Sequence, residues 1–210
     1  MTRTLATSHG WVAQGTALCA RALADTDLDA PSSLPGWTRK HVAAHLSNNA
    51  EALGNLVHWA RTGEERRMYA SREQRNADIE ARSQRPADEL LQRFQQTART
   101  LAEAMSELTE EQWQAQVLSA QGNPIPVTEV PWMRSVEVMI HAVDLDAGIT
   151  FADLPADFLE ELWADDRAKS GIDPQVHGPL HQRAAYLTGR PYQDVLTPDG
   201  EPAPPLPPWL

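Results

Sequence analysis

The sequence predicts a mainly α protein: a four-helix bundle over residues 1–150 with a small, reduced C-terminal appendage over residues 151–210. Three observations predict it. Apolar residues recur at helical spacing through four long stretches. The Gly- and Pro-containing break VLSAQGNPIPVTEV cannot be a regular helix and reads as a loop or a short hairpin. After Thr150 the character changes, and the closing TPDGEPAPPLPPWL holds six of the 16 prolines, so that segment is expected to be extended.

The elements follow in order. A first helix is expected over about Leu5 to Ala24, and Asp25 to Gly36, with Pro31 and Pro35, is a loop. Thr38 is placed to cap a long helix that Gly63 ends, with Val42, Leu46, Leu53 and Leu56 on one face. The polar stretch Ser71 to Arg85 predicts a short helix. Pro86 opens another, PADELLQRFQQTARTLAEAMSEL, whose first-turn acids suit the positive end of a helix. PWMRSVEVMIHAVDL predicts a helix that stops near Gly148, with Met133, Val136, Ile140 and Val143 as its apolar stripe. Helices from about Pro155 to Lys169 and from about Leu180 to Thr188 complete the pattern. The tail is expected to lie over the surface, anchored by Trp209 and Leu210. Trp37, Trp59 and Trp132 read as core or pocket-wall residues, and no internal repeat is present.

Composition excludes several function classes. At 210 residues and 41% hydrophobic, the chain can bury one ordinary core. A net charge of −11 argues against nucleic acid or an anionic membrane surface as the main partner. With one cysteine, Cys19, no intrachain disulfide can form, which fits the reducing cytoplasm. Cys19 itself reads as a small buried hydrophobe. The N-terminus lacks an apolar stretch of signal-peptide length, and no run approaches a membrane span.

The chemistry concentrates at Glu137 and His141. Four residues apart in one predicted helix, they point the same way. Glu137 falls four after Met133 and three before Ile140, on the side expected to be buried. A carboxylate there is costly unless a cation or hydrogen bonds satisfy it. A shared metal ion is the simplest partner for both, and a third ligand must come from another helix. His45, three residues after Val42, borders the apolar face of the long helix. Two histidines and one glutamate suit zinc with an open position for water or substrate.

GWTRKHVAAHLSNNA, LVHWARTGEERRMY, SREQRNADI and PWMRSVEVMIHAVDL together resemble the mycothiol-dependent maleylpyruvate isomerase family. The resemblance covers about residues 34–150 and returns at AAYLTGRP and PPWL. It implies a DinB-like metal-binding bundle followed by a C-terminal domain, which in the family is expected to be longer, with strands not expected in this chain. It puts the zinc ligands at His45, Glu137 and His141, and so leaves His41 of HVAAH as a capping or packing residue. His58 reads as structural.

The reaction that the resemblance implies converts maleylpyruvate to fumarylpyruvate. A thiolate adds to the conjugated cis double bond, the bond rotates, and the thiolate is expelled. Mycothiol is the thiol that the resemblance implies, with glutathione or ergothioneine as alternatives. A small anionic substrate needs arginines, whose planar forks match carboxylates. Arg75 and Arg134 fall inside the matching blocks, and Arg190 in LTGRP matches the family's C-terminal arginine of the thiol site. An S-transferase of the same fold and a non-catalytic metal- or thiol-binding module are the other readings.

Overall fold

Four long helices carry most of residues 5–149 in the computed structural model, which describes residues 3–170 and 175–206. In chain order α1 spans Leu5–Asp25, α2 Arg39–Thr62, the shorter α3 Arg72–Ser83, α4 Ala87–Ser106, the one-turn α5 Glu110–Trp113 and α6 Val130–Asp144. Strands β1 (Gln116–Leu118) and β2 (Pro124–Pro126) pair antiparallel, with Val117 opposite Ile125. The break expected as a loop or hairpin is therefore a hairpin, preceded by the unanticipated turn of α5.

The bundle closes α1 on α6, α6 on α2, α2 on α4 and α4 on α1, while α3 lies along α2. Local chemistry sets the ends. Thr38 caps α2, and His41 reaches back so that its Nδ1 accepts from the Thr38 N–H at 3.1 Å. Gly63, at φ 77°, closes α2 in the left-handed conformation. Ser71 caps α3 by accepting from the Gln74 N–H at 3.1 Å.

Helix α2 is buried on nearly every side from Val42 to Ala50. Its sequence there, VAAHLSNNA, mixes small residues with two asparagines, which lets neighbours approach from several directions. Val42, Leu46, Leu53 and Leu56 are fully buried, as the expected face requires.

Helix α6 differs from its expected stripe. Met133, Val136 and Val143 are only half-buried, whereas Arg134, Ser135, Val138 and Ala142 are fully enclosed. The small side chains on that face admit α1 at close range. A Cβ placed on Gly15 would fall 2.5 Å from Val138 Cγ2 and 3.1 Å from the Met139 backbone nitrogen. The most apolar reading of the helical wheel missed this, because periodicity shows which residues share a face but not which face a neighbouring helix covers at close range.

Two groups of side chains among the described residues fill much of the bundle. One joins Leu23, Val42, Leu46, Ile79, Leu90, Phe94, Val138 and Ala142. The other joins Leu53, Leu56, Leu101, Met105, Val117, Val127 and Val130. The candidate ligand His45 sits on α2 among the residues of the first group.

Residues Leu5–Ile149 form one compact unit; Thr150 onward, together with Arg3 and Thr4, forms another. In the second unit a 3-10 turn at Phe151–Asp153 leads to α7 (Ala156–Ser170) and then α8 (Leu180–Leu187). Arg3 pairs with Glu161 at 2.9 Å and Asp165 at 3.3 Å. Tyr186 of α8 packs with Val176, Val195 and Ala203 and donates from its hydroxyl to Pro204 O at 2.8 Å. The described part of the proline-rich tail thus folds back within its own unit. Isolated bridges His177–Leu196 and Leu196–Pro202 are its extended pairing among the described residues. The expected anchor, Trp209 and Leu210, lies outside the described residues. Among the described residues no helix is long and apolar enough to cross a membrane.

The tight α1–α6 crossing gives a stability prediction. Gly15→Ala removes helix-interior glycine, which by itself favours the helix by up to about 1 kcal/mol. The added methyl nevertheless has to displace Val138 and α6 backbone, at about 1–3 kcal/mol. A net loss in urea unfolding is expected, whereas Gly10→Ala, which meets no atom within 4 Å, is expected to stabilise.

Candidate metal centre

His45 comes from the buried middle of α2, where only 3% of its side chain is exposed. Glu137 and His141 come from successive turns of α6, and the antiparallel approach of the two helices brings all three together. One ligand atom from each lies within 4.8 Å of the others. His45 Nε2 and Glu137 Oε2 are 2.8 Å apart, and His141 Nε2 is 3.4 Å from the same oxygen. Two imidazole nitrogens and a carboxylate oxygen are thus gathered around one point, with no fourth His, Cys, Asp or Glu in the group among the described residues. That donor set fits a divalent ion with an open coordination position.

A second layer orients the donors. His141 Nδ1 donates to Asp144 Oδ2 at 2.8 Å, and Ser33 holds Asp144 from the other side, Oγ to Oδ1 at 3.2 Å. This carboxylate–histidine arrangement directs Nε2 toward the centre. Arg75 of α3 donates from Nη2 to His45 Nδ1 at 3.3 Å. His45 Nε2 then carries the ring proton in this structure and donates it to Glu137. The Trp37 ring lies 5.8 Å from the His45 ring, and Tyr69 lies beneath the Arg75 guanidinium, 5.7 Å from ring centroid to Cζ.

The electrostatics follow from these contacts. Burial would push the Glu137 carboxyl up, but the charges and hydrogen bonds of His45 and His141 outweigh it and hold Glu137 well below the ordinary range. Burial draws His45 below 6.5 despite Glu137 beside it. At His141 burial also pulls downward, yet the hydrogen bonds with Asp144 and Glu137 prevail and raise it to about 8. Burial raises the Tyr69 phenol, with the Glu137 charge adding to the effect.

The structure thus gathers His45, Glu137, His141 and Arg75. Arg134 is placed differently from its expected substrate- or thiol-binding position. Its side chain is 0% exposed, and Nη1 donates to Leu46 O and to Asn49 Oδ1, both at 2.8 Å. A guanidinium enclosed between helices has no face toward a dissolved anion. Arg190 belongs to the second unit, just after α8, where Nη1 donates to Thr188 O at 2.5 Å. Asp144, Ser33, Asn49 and Tyr69 were not selected from the sequence. Asp144 had a signal there, since it follows His141 by three residues on the same helix face. Ser33 and Asn49 had none.

The raised His141 value sets a pH dependence. A histidine whose folded pKa exceeds 6.5 contributes stability that is full below 6.5 and is lost as pH rises through about 8. The metal-free protein is therefore expected to lose this contribution between about pH 6.5 and 8. Divalent-cation affinity should rise over the same window, because fewer protons need displacing. Thermal unfolding and cation titration across that range check both trends, and His141→Gln should remove them.

The model of the mycothiol maleylpyruvate isomerase N-terminal domain family matches residues 12–146. Among solved structures, a crystal structure of the mycothiol-dependent maleylpyruvate isomerase superimposes with a TM-score of 0.90 at 36% identity, over 98% of this chain and 99% of that one. A histidine-to-alanine mutant of that isomerase gives a TM-score of 0.89 at 35% identity with the same coverage. No curated protein matches the sequence. With the family model spanning most of the bundle and the structural match running from end to end, the chain belongs to the mycothiol maleylpyruvate isomerase family.

Proposed function

We propose that this protein is a thiol-dependent cis–trans isomerase that converts maleylpyruvate to fumarylpyruvate in the cytoplasm, with mycothiol as the thiol. The observation that carries this reading is the His45–Glu137–His141 group in a chain of this family. Those three residues would hold a divalent ion, with zinc best suited to two imidazoles and a carboxylate. Such an ion, when bound, supplies Lewis acidity that keeps a small thiol deprotonated near neutral pH.

The residues divide the remaining work. Asp144, braced by Ser33, fixes the His141 ring so that Nε2 faces the centre. Arg75 stands beside the ligands and is the cation placed to take a substrate carboxylate. In this structure it donates to His45 Nδ1. With a metal held by His45 Nε2, the ring proton would sit on Nδ1, which could then no longer accept from Arg75, and the guanidinium would be free to take an anion. Arg190 is proposed to serve the thiol.

No protein thiol can be the attacking group. Cys19 is 0% exposed, and its Sγ donates to Val138 O at 3.1 Å. Burial pushes the thiol up to about 12, so it is un-ionised at neutral pH. The attacking sulfur must come from a small molecule.

An absorbance assay of maleylpyruvate conversion tests the proposal. Activity should require added thiol, with mycothiol supporting turnover better than glutathione or ergothioneine. Cys19→Ser should retain most of it. Glu137→Ala and His141→Ala should lose metal and activity together. Arg75→Ala should keep the metal and lose about 1.5–3 kcal/mol of anion binding, or roughly one to two powers of ten. Turnover in thiol-free buffer, or full metal content in the Glu137 and His141 variants, would sink the reading.

A further inference from the structure

We infer that Arg134 is a positioning residue of the metal centre: with Arg39 it locks α2 and α6 into one register and so sets the separation of His45 from Glu137 and His141. The inference rests on the metal reading of that trio given above.

Each of the two helices sends a guanidinium to the other, and the ligands lie between the two contacts. At one end Arg39, the first residue of α2, donates from Nε to Leu145 O at 2.6 Å and from Nη2 to Asp146 O at 2.5 Å. These carbonyls lie just past the last turn of α6, where the chain leaves the helix and backbone oxygens lack helical partners. At the other end Arg134 of α6 donates from Nη1 to Leu46 O and Asn49 Oδ1. Leu46 directly follows His45, and Arg134 precedes Glu137 by three residues, about one turn. Along α2 the order is Arg39, His45, Leu46 and Asn49; along α6, run in reverse, it is Leu145, His141, Glu137 and Arg134. A slip of one residue, about 1.5 Å along a helix, would break both contacts. It would also exceed the few tenths of an ångström that a metal's ligand distances tolerate.

The two ends are not equivalent. Arg39 reaches carbonyls near the surface, where water can replace it. Arg134 is wholly enclosed, and its Nε and Nη2 have no hydrogen-bond partner among the described residues. For stability alone such a buried cation is a poor choice, since apolar residues of similar size commonly do as well or better. What it offers that an apolar side chain cannot is a directional bond to the backbone carbonyl beside a ligand. Its charge is attracted by the Glu137 carboxylate one turn away, yet the same charge opposes a second cation at the metal site.

That opposition makes the sign of the test decisive. The measurement is zinc affinity of the purified full chain by chelator competition, with circular dichroism for folding and cobalt absorption for ligand geometry. Arg134→Met is expected to fold and to bind zinc about tenfold or more weakly, as loss of groups that orient metal ligands commonly does, with an altered cobalt spectrum. Arg134→Lys, which keeps a donor, should recover part of the affinity. Asn49→Ala keeps the charge and weakens the clamp, so it should show a smaller loss. Leu101→Ala, in the other half of the bundle core, should lower stability and leave zinc affinity unchanged. Zinc binding by Arg134→Met as tight as wild type, or tighter, overturns the inference. If that variant does not fold, unchanged affinity in Asn49→Ala overturns it instead. Failure of the metal reading shows separately, as His141→Gln binding zinc no more weakly than wild type.

Discussion

The part-buried contact between His45 and Glu137, one from each of two antiparallel helices, is the constraint around which the rest of the bundle is arranged. A carboxylate and an imidazole at 2.8 Å, with a second imidazole beside them, repay their desolvation only if all three hold their positions. The surroundings supply that rigidity. α2 is enclosed almost completely along the turns that carry His45. α6 presses on α1 so closely that a glycine is needed at the crossing. Packing that would be ordinary elsewhere here fixes where three donor atoms meet.

Charge is distributed to match. The protein is strongly acidic overall, yet the centre holds one carboxylate among two histidines and Arg75. Its ionisation is set locally: the two imidazoles keep Glu137 charged despite burial, and Asp144 with Glu137 keeps a proton on His141 near neutrality. On the proposed reading, an anionic substrate would meet Arg75 beside the metal centre, inside an anionic surface. Carboxylate recognition by Arg75, as proposed, would outweigh general repulsion, because bidentate pairing acts at contact while surface charges are screened by salt within about 10 Å.

Family membership and site geometry support each other through independent routes. The match over residues 12–146 rests on the whole pattern of the bundle. The trio rests on three side chains and their distances. Cys19 adds a third line, since an enclosed and un-ionised thiol leaves the nucleophile to come from outside.

The sequence by itself determined the long helices, the limits of α2 at Thr38 and Gly63, the break at the hairpin, and the three candidate ligands. These depend on local spacing: a 3.6-residue period, a capping side chain within three residues, two ligands one turn apart. It misjudged which face of α6 is enclosed, because periodicity reveals that residues share a face and not how closely a neighbour comes. Val138 and Met139 are enclosed where α6 meets Gly15, while Met133 and Val136, away from that crossing, are left half-open. Only the tertiary structure placed Arg134 inside the bundle, brought Ser33 to Asp144 across 111 positions and set Arg75 on His45 across 30. Such pairings have no signature in local sequence, since they exist only after the helices have packed in one register.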